Sequence, residues 1–259
     1  MSTEQPFLAL TVGNSRTSIA VIKGDEITKK ISFDSTQTSE IVEYSITCWK
    51  DIGGENPQII IGTSNETASA TIAEALQDQT SRQIWAIGDD VPAAIGQHLD
   101  PETITGIDRL LNAVAAWDTF KEACVVIDAG TCITVDFVDG EGTFHGGAIA
   151  PGARMQLEAM HSGTSALPEV SFDAPLREAF GKNTAQAMLQ GGFHGIQGMV
   201  RQLCEQYALR YGAYPRIIAT GGDAKTLFGD DEFIEQIDPD LQMKGIAVSV
   251  RHTMAEDDA

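Results

Sequence analysis

Positive charge is scarce in this chain. Its 259 residues carry 17 Lys plus Arg against 37 Asp plus Glu, a formal net charge of −20 at pH 7. Polyphosphate backbones are repelled at long range by such a surface, so nucleic acid is excluded as the expected partner. Cysteine is scarce as well. Cys48, Cys124, Cys132 and Cys204 show neither CxxC nor zinc-ligand spacing, and free thiols are expected rather than a disulfide framework or a structural metal. No apolar run reaches the roughly 18 residues that cross a bilayer, so no membrane partner is expected. Met1 to Gln5 lack the basic start of a secretion signal, and a soluble cytoplasmic protein is expected. The GxxxxGK[ST] and GxGxxG patterns are both missing, which argues against P-loop and Rossmann nucleotide sites. His145, His161, His194 and His252 are scattered without ligand spacing and read as surface or core residues.

What the chain does have is size, apolar content and a repeated turn. At 42% hydrophobic residues it can build real cores, and its length favours two domains. Phe7 to Leu10 is an apolar run followed by Thr11-Val12-Gly13-Asn14-Ser15 and a second β-branched run, Thr17 to Ile22. Cys124 to Ile127 is followed by Asp128-Ala129-Gly130-Thr131-Cys132 and then Ile133 to Val138. Glycine at such a turn lets backbone approach a ligand, and amide and hydroxyl donors there can cradle phosphate oxygens. Closure of two ordinary hairpins is the alternative for either one alone. Their recurrence, one per half, points to a nucleotide phosphate held between two related domains.

The remaining pattern completes two similar halves. Strands are expected at Glu26 to Phe33, Gln58 to Ile61 and Gln83 to Ile87, with helices at Ser39 to Trp49 and Ala68 to Leu76. That order is the one expected of a ribonuclease-H-like unit. Asp108 to Phe120 is an amphipathic helix bridging the halves. After it the pattern restarts with strands through Ile149, helices at Met155 to Met160 and Thr184 to Tyr211, and a strand at Arg216 to Ala219. The boundary so drawn gives domains 1–118 and 119–259. Gly191, Gly192, Gly195 and Gly198 weaken the long helix and suggest close approach of another backbone, at a subunit interface for example. Asp230, Asp231, Glu232 and the tail Glu256-Asp257-Asp258 read as solvated acidity.

Several polar residues are placed for chemistry. Asp108, within Gly106-Ile107-Asp108-Arg109, is positioned either to cap the bridging helix or to accept a proton from a substrate hydroxyl. Arg109 offers a planar donor fork for carboxylate or phosphate. Asp128 could ligate a cation near phosphates. Thr220-Gly221-Gly222 ends a strand as an ordinary turn or as a site admitting nucleobase or ribose. Thr184 either caps the long helix or touches substrate.

These motifs, taken in order, resemble the type III pantothenate kinases of the actin-like, sugar-kinase and Hsp70 ATPase superfamily, over nearly the whole chain. The resemblance is densest at Gly106-Ile107-Asp108-Arg109-Leu110-Leu111-Asn112-Ala113, at Ile127-Asp128-Ala129-Gly130-Thr131 and at Gly146-Gly147-Ala148-Ile149-Ala150-Pro151-Gly152. It continues through Thr164-Ser165-Ala166-Leu167-Pro168, Gly181-Lys182-Asn183-Thr184 and Ala219-Thr220-Gly221-Gly222. It implies an α/β fold of two ribonuclease-H-like domains and ATP-dependent phosphorylation of pantothenate, the first committed step toward coenzyme A. By the same resemblance Asp108 is the general base, and Gly106, Ile107, Asp108, Arg109 and Thr184 contact pantothenate. Thr11, Val12, Gly13, Asn14, Ser15, Arg16, Thr17 and Ser18 fall on ATP positions together with Thr131, with Gly221 and Gly222 as further nucleotide candidates. Asp128 falls on the monovalent-cation site. Magnesium, potassium or ammonium, and a homodimer with substrate bound at the subunit interface are implied too.

Two positions depart from the family pattern. Thr11 stands where the family carries an Asp that helps to hold hydrated magnesium, and Leu99 stands where an aromatic residue lines the pantothenate pocket. Arg16 brings a positive side chain to the first turn, where it either substitutes for lost cation charge or is simply solvated. Thr11 leaves open a weakened nucleotide-binding regulatory homologue, and Leu99 a kinase for another small hydroxylated substrate.

Overall fold

Six consecutive buried residues, Phe7–Val12, form β1, a strand whose alternate side chains enter different cores. The computed structural model describes residues 5–53, 57–175 and 178–257. Leu8, Leu10 and Val12 join one cluster, while Phe7 and Ala9 join another. β1 pairs antiparallel with β2 (Arg16–Lys23), and β2 with β3 (Glu26–Asp34). On its other side β1 runs parallel to β4 (Ile59–Thr63), followed by β5 (Ile84–Ala86), so the sheet order is β3-β2-β1-β4-β5. The crossovers are α1 (Thr38–Ile52) and α2 (Glu66–Thr80), the latter capped by the Asn65 side chain, which accepts the Ala68 N–H. Ile41, Val42 and Ile46 with Ile72 and Leu76 cover the Leu8–Leu10 face. The opposite face is covered by α3 (Ile107–Phe120) and α7 (Leu241–Asp257), through Leu111, Met243, Ile246 and Val250. Glycine is needed where these two helices meet. A Cβ at Gly245 would stand 2.1 Å from the Leu111 carbonyl oxygen.

The second sheet repeats the first. β7 (Cys124–Ala129), β8 (Cys132–Val138) and β9 (Thr143–Pro151) form an antiparallel meander. β10 (Arg216–Thr220) and β11 (Gln236–Ile237) continue parallel on the other side of β7. With the two-residue β6 (Gly96–Gln97) added at an edge, the order is β11-β10-β7-β8-β9-β6. Helices α4 (Ala153–Ser162), α5 (Thr184–Tyr211) and α6 (Ala224–Phe228) complete this part. Val125, Ile127 and Ala129 pack against Ile196, Val200 and Cys204 of α5 and Leu227 and Phe228 of α6. A three-strand meander extended by parallel strands, made twice, is the ribonuclease-H-like topology duplicated as in actin-like ATPases.

The chain groups into two compact units, one comprising Met1–Gly96, Asp100–Thr119 and Asp240–Ala259, the other Gln97–Leu99 and Phe120–Pro239. The expected division into 1–118 and 119–259 coincides with this grouping except at residues 97–99, 119 and 240–259. The C-terminal helix returns because Met243, Ile246 and Val250 complete the core above Phe7 and Ala9.

Some local expectations change. Among the described residues, and apart from the helix's own backbone and the chain neighbours, nothing stands within 4 Å of a Cβ built at Gly191, Gly195 or Gly198, so none of them makes the close approach suggested there. Asp231 is an ion-pair partner of Arg201 at 3.0 Å rather than a solvated acid, and Asp258 lies outside the described residues. His145 is bound at 2.7 Å to Asp139, which also accepts the Glu141 and Thr143 N–H groups. Burial pushes the Asp139 carboxyl up, but these hydrogen bonds outweigh it and hold it below the ordinary value. Cys48, Cys124 and Cys204 are buried free thiols, and Cys132 is half-buried. Burial pushes the Cys124 and Cys204 thiols up to about 12, which keeps them protonated. Among the described residues no helix is long and apolar enough to cross a membrane.

Candidate active site

The first glycine turn joins β1 to β2 and is held from three strand ends. Val12 pairs with Thr17 across the turn, leaving Gly13-Asn14-Ser15-Arg16 as its loop. The Gly13 N–H donates to the Arg16 carbonyl at 3.0 Å, and a Cβ at Gly13 would stand 3.1 Å from that same oxygen. Gly13 is therefore there for closure, and its N–H is already used. After β3, the Ser35 hydroxyl donates to the Gly13 carbonyl at 2.8 Å and lies 3.0 Å from the buried Thr17 hydroxyl. At the end of β4, the Thr63 hydroxyl and the Ser64 N–H both donate to the Val12 carbonyl. Such bracing fixes the tip, where Asn14, Ser15 and Arg16 are exposed while Thr11 and Thr17 are buried. The Ser18 and Ser32 hydroxyls are hydrogen-bonded at 2.8 Å.

In the same unit, the segment 106–109 opens α3. Its first helical residue is Ile107, so Asp108 lies inside the first turn rather than at the N-cap. Among the described residues the Asp108 carboxylate accepts a single hydrogen bond, from the Arg109 N–H at 2.9 Å. The Arg109 and Leu110 N–H groups also reach the Gly106 carbonyl, at 3.1 and 3.4 Å. Gly106 is needed beside the acid, because a Cβ there would stand 2.6 Å from Asp108 Oδ1. Ile107 is seated on Gly88, where a Cβ would meet its Cδ1 at 2.7 Å. Asp108 and Arg109 are half-buried. A carboxylate with spare lone pairs at a fixed helix start can take a proton from a hydroxyl.

The second unit assembles its own polar cluster at the matching turn. Ala129 pairs with Ile133, and the Gly130 N–H donates to the Cys132 carbonyl at 3.0 Å. Thr131 stands exposed at the tip. Asp128 pairs in register with Thr220, and Gly221 follows with φ +94°, a conformation suited to glycine. A Cβ at Gly221 would fall 2.4 Å from Asp128 Oδ1 and 2.4 Å from the Ala129 carbonyl oxygen. Asp128 is thus walled by bare backbone at Gly221, with Gly130 also alongside. Gly152, just before α4, donates its N–H to the Thr131 carbonyl at 3.0 Å. Two residues later Arg154 binds Asp223, whose N–H in turn donates to the Ala129 carbonyl at 2.9 Å.

Two further candidates lie in this unit. Thr184 is the exposed first residue of α5, and the cap is Asn183, whose side chain accepts the Gln186 N–H at 2.8 Å. Leu99 lies over Gly146, where a Cβ would stand 3.2 Å from Leu99 Cδ2. Each unit thus gathers its own candidates: 11–18 with 106–109 in the first, and Leu99, Asp128, Thr131, Thr184, Gly221 and Gly222 in the second. Ser35 and the Arg154–Asp223 pair are absent from the sequence reading, because their contacts span 18 and 69 residues with no local spacing to announce them.

Comparison with known proteins gives the family and the fold. The profile of the family described as type III pantothenate kinase matches residues 7–206. A type III pantothenate kinase of Rhodospirillum rubrum is 40% identical over 167 residues, covering 64% of this chain and 65% of that protein. One from Paramagnetospirillum magneticum is 32% identical over 246 residues, covering 92% of this chain and 94% of that protein. Among solved structures, a Baf family transcriptional activator from Campylobacter jejuni superposes with TM-score 0.64 at 21% identity, over 96% of this chain and 100% of that one. Component A of the (R)-2-hydroxyglutaryl-CoA dehydratase of Acidaminococcus fermentans superposes with TM-score 0.55 at 14% identity, over 95% and 96% of the two chains.

Proposed function

The chain belongs to the type III pantothenate kinase family, and we propose that it transfers the γ-phosphoryl group of ATP to the hydroxyl of pantothenate. The product is 4'-phosphopantothenate, and the step opens coenzyme A synthesis. One observation carries the chemistry: the Asp108 carboxylate is fixed at the start of α3 yet accepts only one hydrogen bond among the described residues. It takes the proton of the attacking hydroxyl, while Arg109 pairs with the pantothenate carboxylate. Gly106 and Ile107 are further pantothenate candidates in the first unit, and Leu99 and Thr184 are pantothenate candidates in the second. The braced turn Thr11–Ser18 is the ATP candidate of the first unit, and Thr131 with Gly221 and Gly222 that of the second. Because both turn glycines use their own N–H groups internally, the phosphate donors are the exposed tip residues beside them.

A bound cation belongs to this reading. The residues present fit one at Asp128, a carboxylate whose flank at Gly221 would be filled by any Cβ. Potassium or ammonium is the cation proposed there, held by oxygen atoms; magnesium, proposed with the ATP phosphates, commonly needs only one or two carboxylates plus phosphate and water. When bound, such cations neutralise phosphate charge that this acidic chain cannot. The protein works in the cytoplasm as a homodimer in the same proposal.

Replacing Asp108 with Asn tests the role of the base. Turnover is expected to fall by about 10²-fold or more, with ATP binding unchanged within about twofold. Wild-type turnover in Asp108→Asn would remove Asp108 as the base.

A further inference from the structure

The kinase chemistry leaves one charged pair unexplained. Asp223 is almost fully buried, its side chain 3% exposed, and its carboxylate is bound by Arg154 Nη1 at 2.6 Å. Arg154 itself is 67% exposed. A guanidinium carries five N–H donors in a fixed fork, so the one polar contact it makes among the described residues, to Asp223, leaves most of that fork facing solvent. Long surface side chains ordinarily sample many rotamers; this one is tethered at its head by a buried carboxylate. The Phe172 ring, 5.9 Å from the guanidinium carbon, limits it further.

The tether is anchored to the second glycine turn from two directions. Asp223 hangs on the Ala129 carbonyl through its N–H, one residue before Gly130. The Arg154 helix begins at Gly152, whose N–H holds the Thr131 carbonyl, and a Cβ at Gly152 would fall 2.2 Å from the Gly130 carbonyl oxygen. Three chain segments therefore converge through close backbone contacts, and Arg154 and Asp223 lie on two of them. In a chain of net charge −20, a cation fixed beside a turn proposed to take phosphate is a specific expense of positive charge. An exposed arginine serving only to neutralise Asp223 would not need an open fork.

We propose that Arg154, held in place by Asp223, binds the polyphosphate of ATP beside the Gly130–Thr131 turn. The inference rests on the kinase reading and adds to it a phosphate-contacting arginine with its positioning residue. Guanidinium to phosphate is a charge-assisted contact, stronger than a neutral hydrogen bond and geometrically selective.

The test compares wild type, Arg154→Ala, Arg154→Lys and the double variant Arg154→Ala/Asp223→Ala. Steady-state kinetics are measured with ATP and pantothenate varied in turn, and with inorganic tripolyphosphate as inhibitor. Arg154→Ala is expected to raise the KM for ATP and the inhibition constant of tripolyphosphate by about tenfold each. The KM for pantothenate should stay within about twofold, which a general structural defect would not allow. Arg154→Lys should recover part of the loss, since it keeps charge without the fork. The double variant removes the stranded buried carboxylate, so it should melt close to wild type and still bind ATP weakly. If Arg154→Ala proves too unstable to assay, the double variant decides. An unchanged ATP KM in the variant that folds, or tripolyphosphate inhibition absent or unaltered, overturns the proposal. Wild-type protein that makes no ATP-dependent product fails the kinase reading itself, a separate result visible before any variant is compared.

Discussion

Thr11 shows how much a single residue decides at the first turn. It lies at the end of β1, paired with Ser18 and Gly62, and is buried to 8% exposure. A hydroxyl there can orient water but brings no charge, and the Arg16 side chain a few residues on is exposed. Thr11→Asp is expected to lower the magnesium concentration needed for half-maximal activity by several-fold and to lower the melting temperature, because the added carboxylate must be desolvated. A magnesium titration with parallel melting checks it; an unchanged magnesium dependence would show that this position does not govern the metal. The placement of Gly13 and Gly130 in turns and of Asp108 near a helix start was legible from sequence, because turn glycines and a helix-start acid are local signals. Their roles are sharper in the fold: the glycines close turns with their own N–H groups, and Asp108 lies one step inside the helix instead of capping it. Arg154 and Asp223 could not be read, since only the convergence of β7, β10 and α4 brings them together.

Among the elements, strands were the easiest to read. β1, β2, β4, β7, β8 and β10 are continuous or alternating apolar runs, and β-branched residues fill them. The helix α7 carries Met243, Ile246, Ala247 and Val250 at helical spacing, yet nothing adjacent says where that stripe is buried. Its partners are far upstream: the Ala94 N–H donates to the buried Ser249 hydroxyl across 155 residues. A chain ending at Pro239 loses these side chains from the core above β1. At about 1.5–3 kcal/mol for each large apolar side chain, the loss is comparable with a whole domain's stability of about 5–15 kcal/mol. The truncated chain is expected to show no cooperative thermal transition for the first unit. A melting temperature within a few degrees of the full chain would contradict the role assigned to α7.

At the scale of the whole molecule, the repeated turn was a fair guide to a repeated fold. Both sheets place a meander beside parallel strands, and the turn that follows the first strand of each carries the glycine. The division of the chain was harder to foresee, because residues 97–99 and the stretch after 239 group with the unit that precedes or follows them out of order. The strong acidity has no structural explanation in the fold, but it makes local neutralisation of ATP a requirement that Asp128-bound cation and Arg154 together would meet. The activity itself is best tested by incubating the purified full chain with ATP, magnesium, potassium and pantothenate, and resolving the products by mass. Pantothenate gaining one phosphoryl group, in step with ADP and faster with potassium than with sodium, is the expected result. ATP bound but pantothenate left unmodified would contradict it.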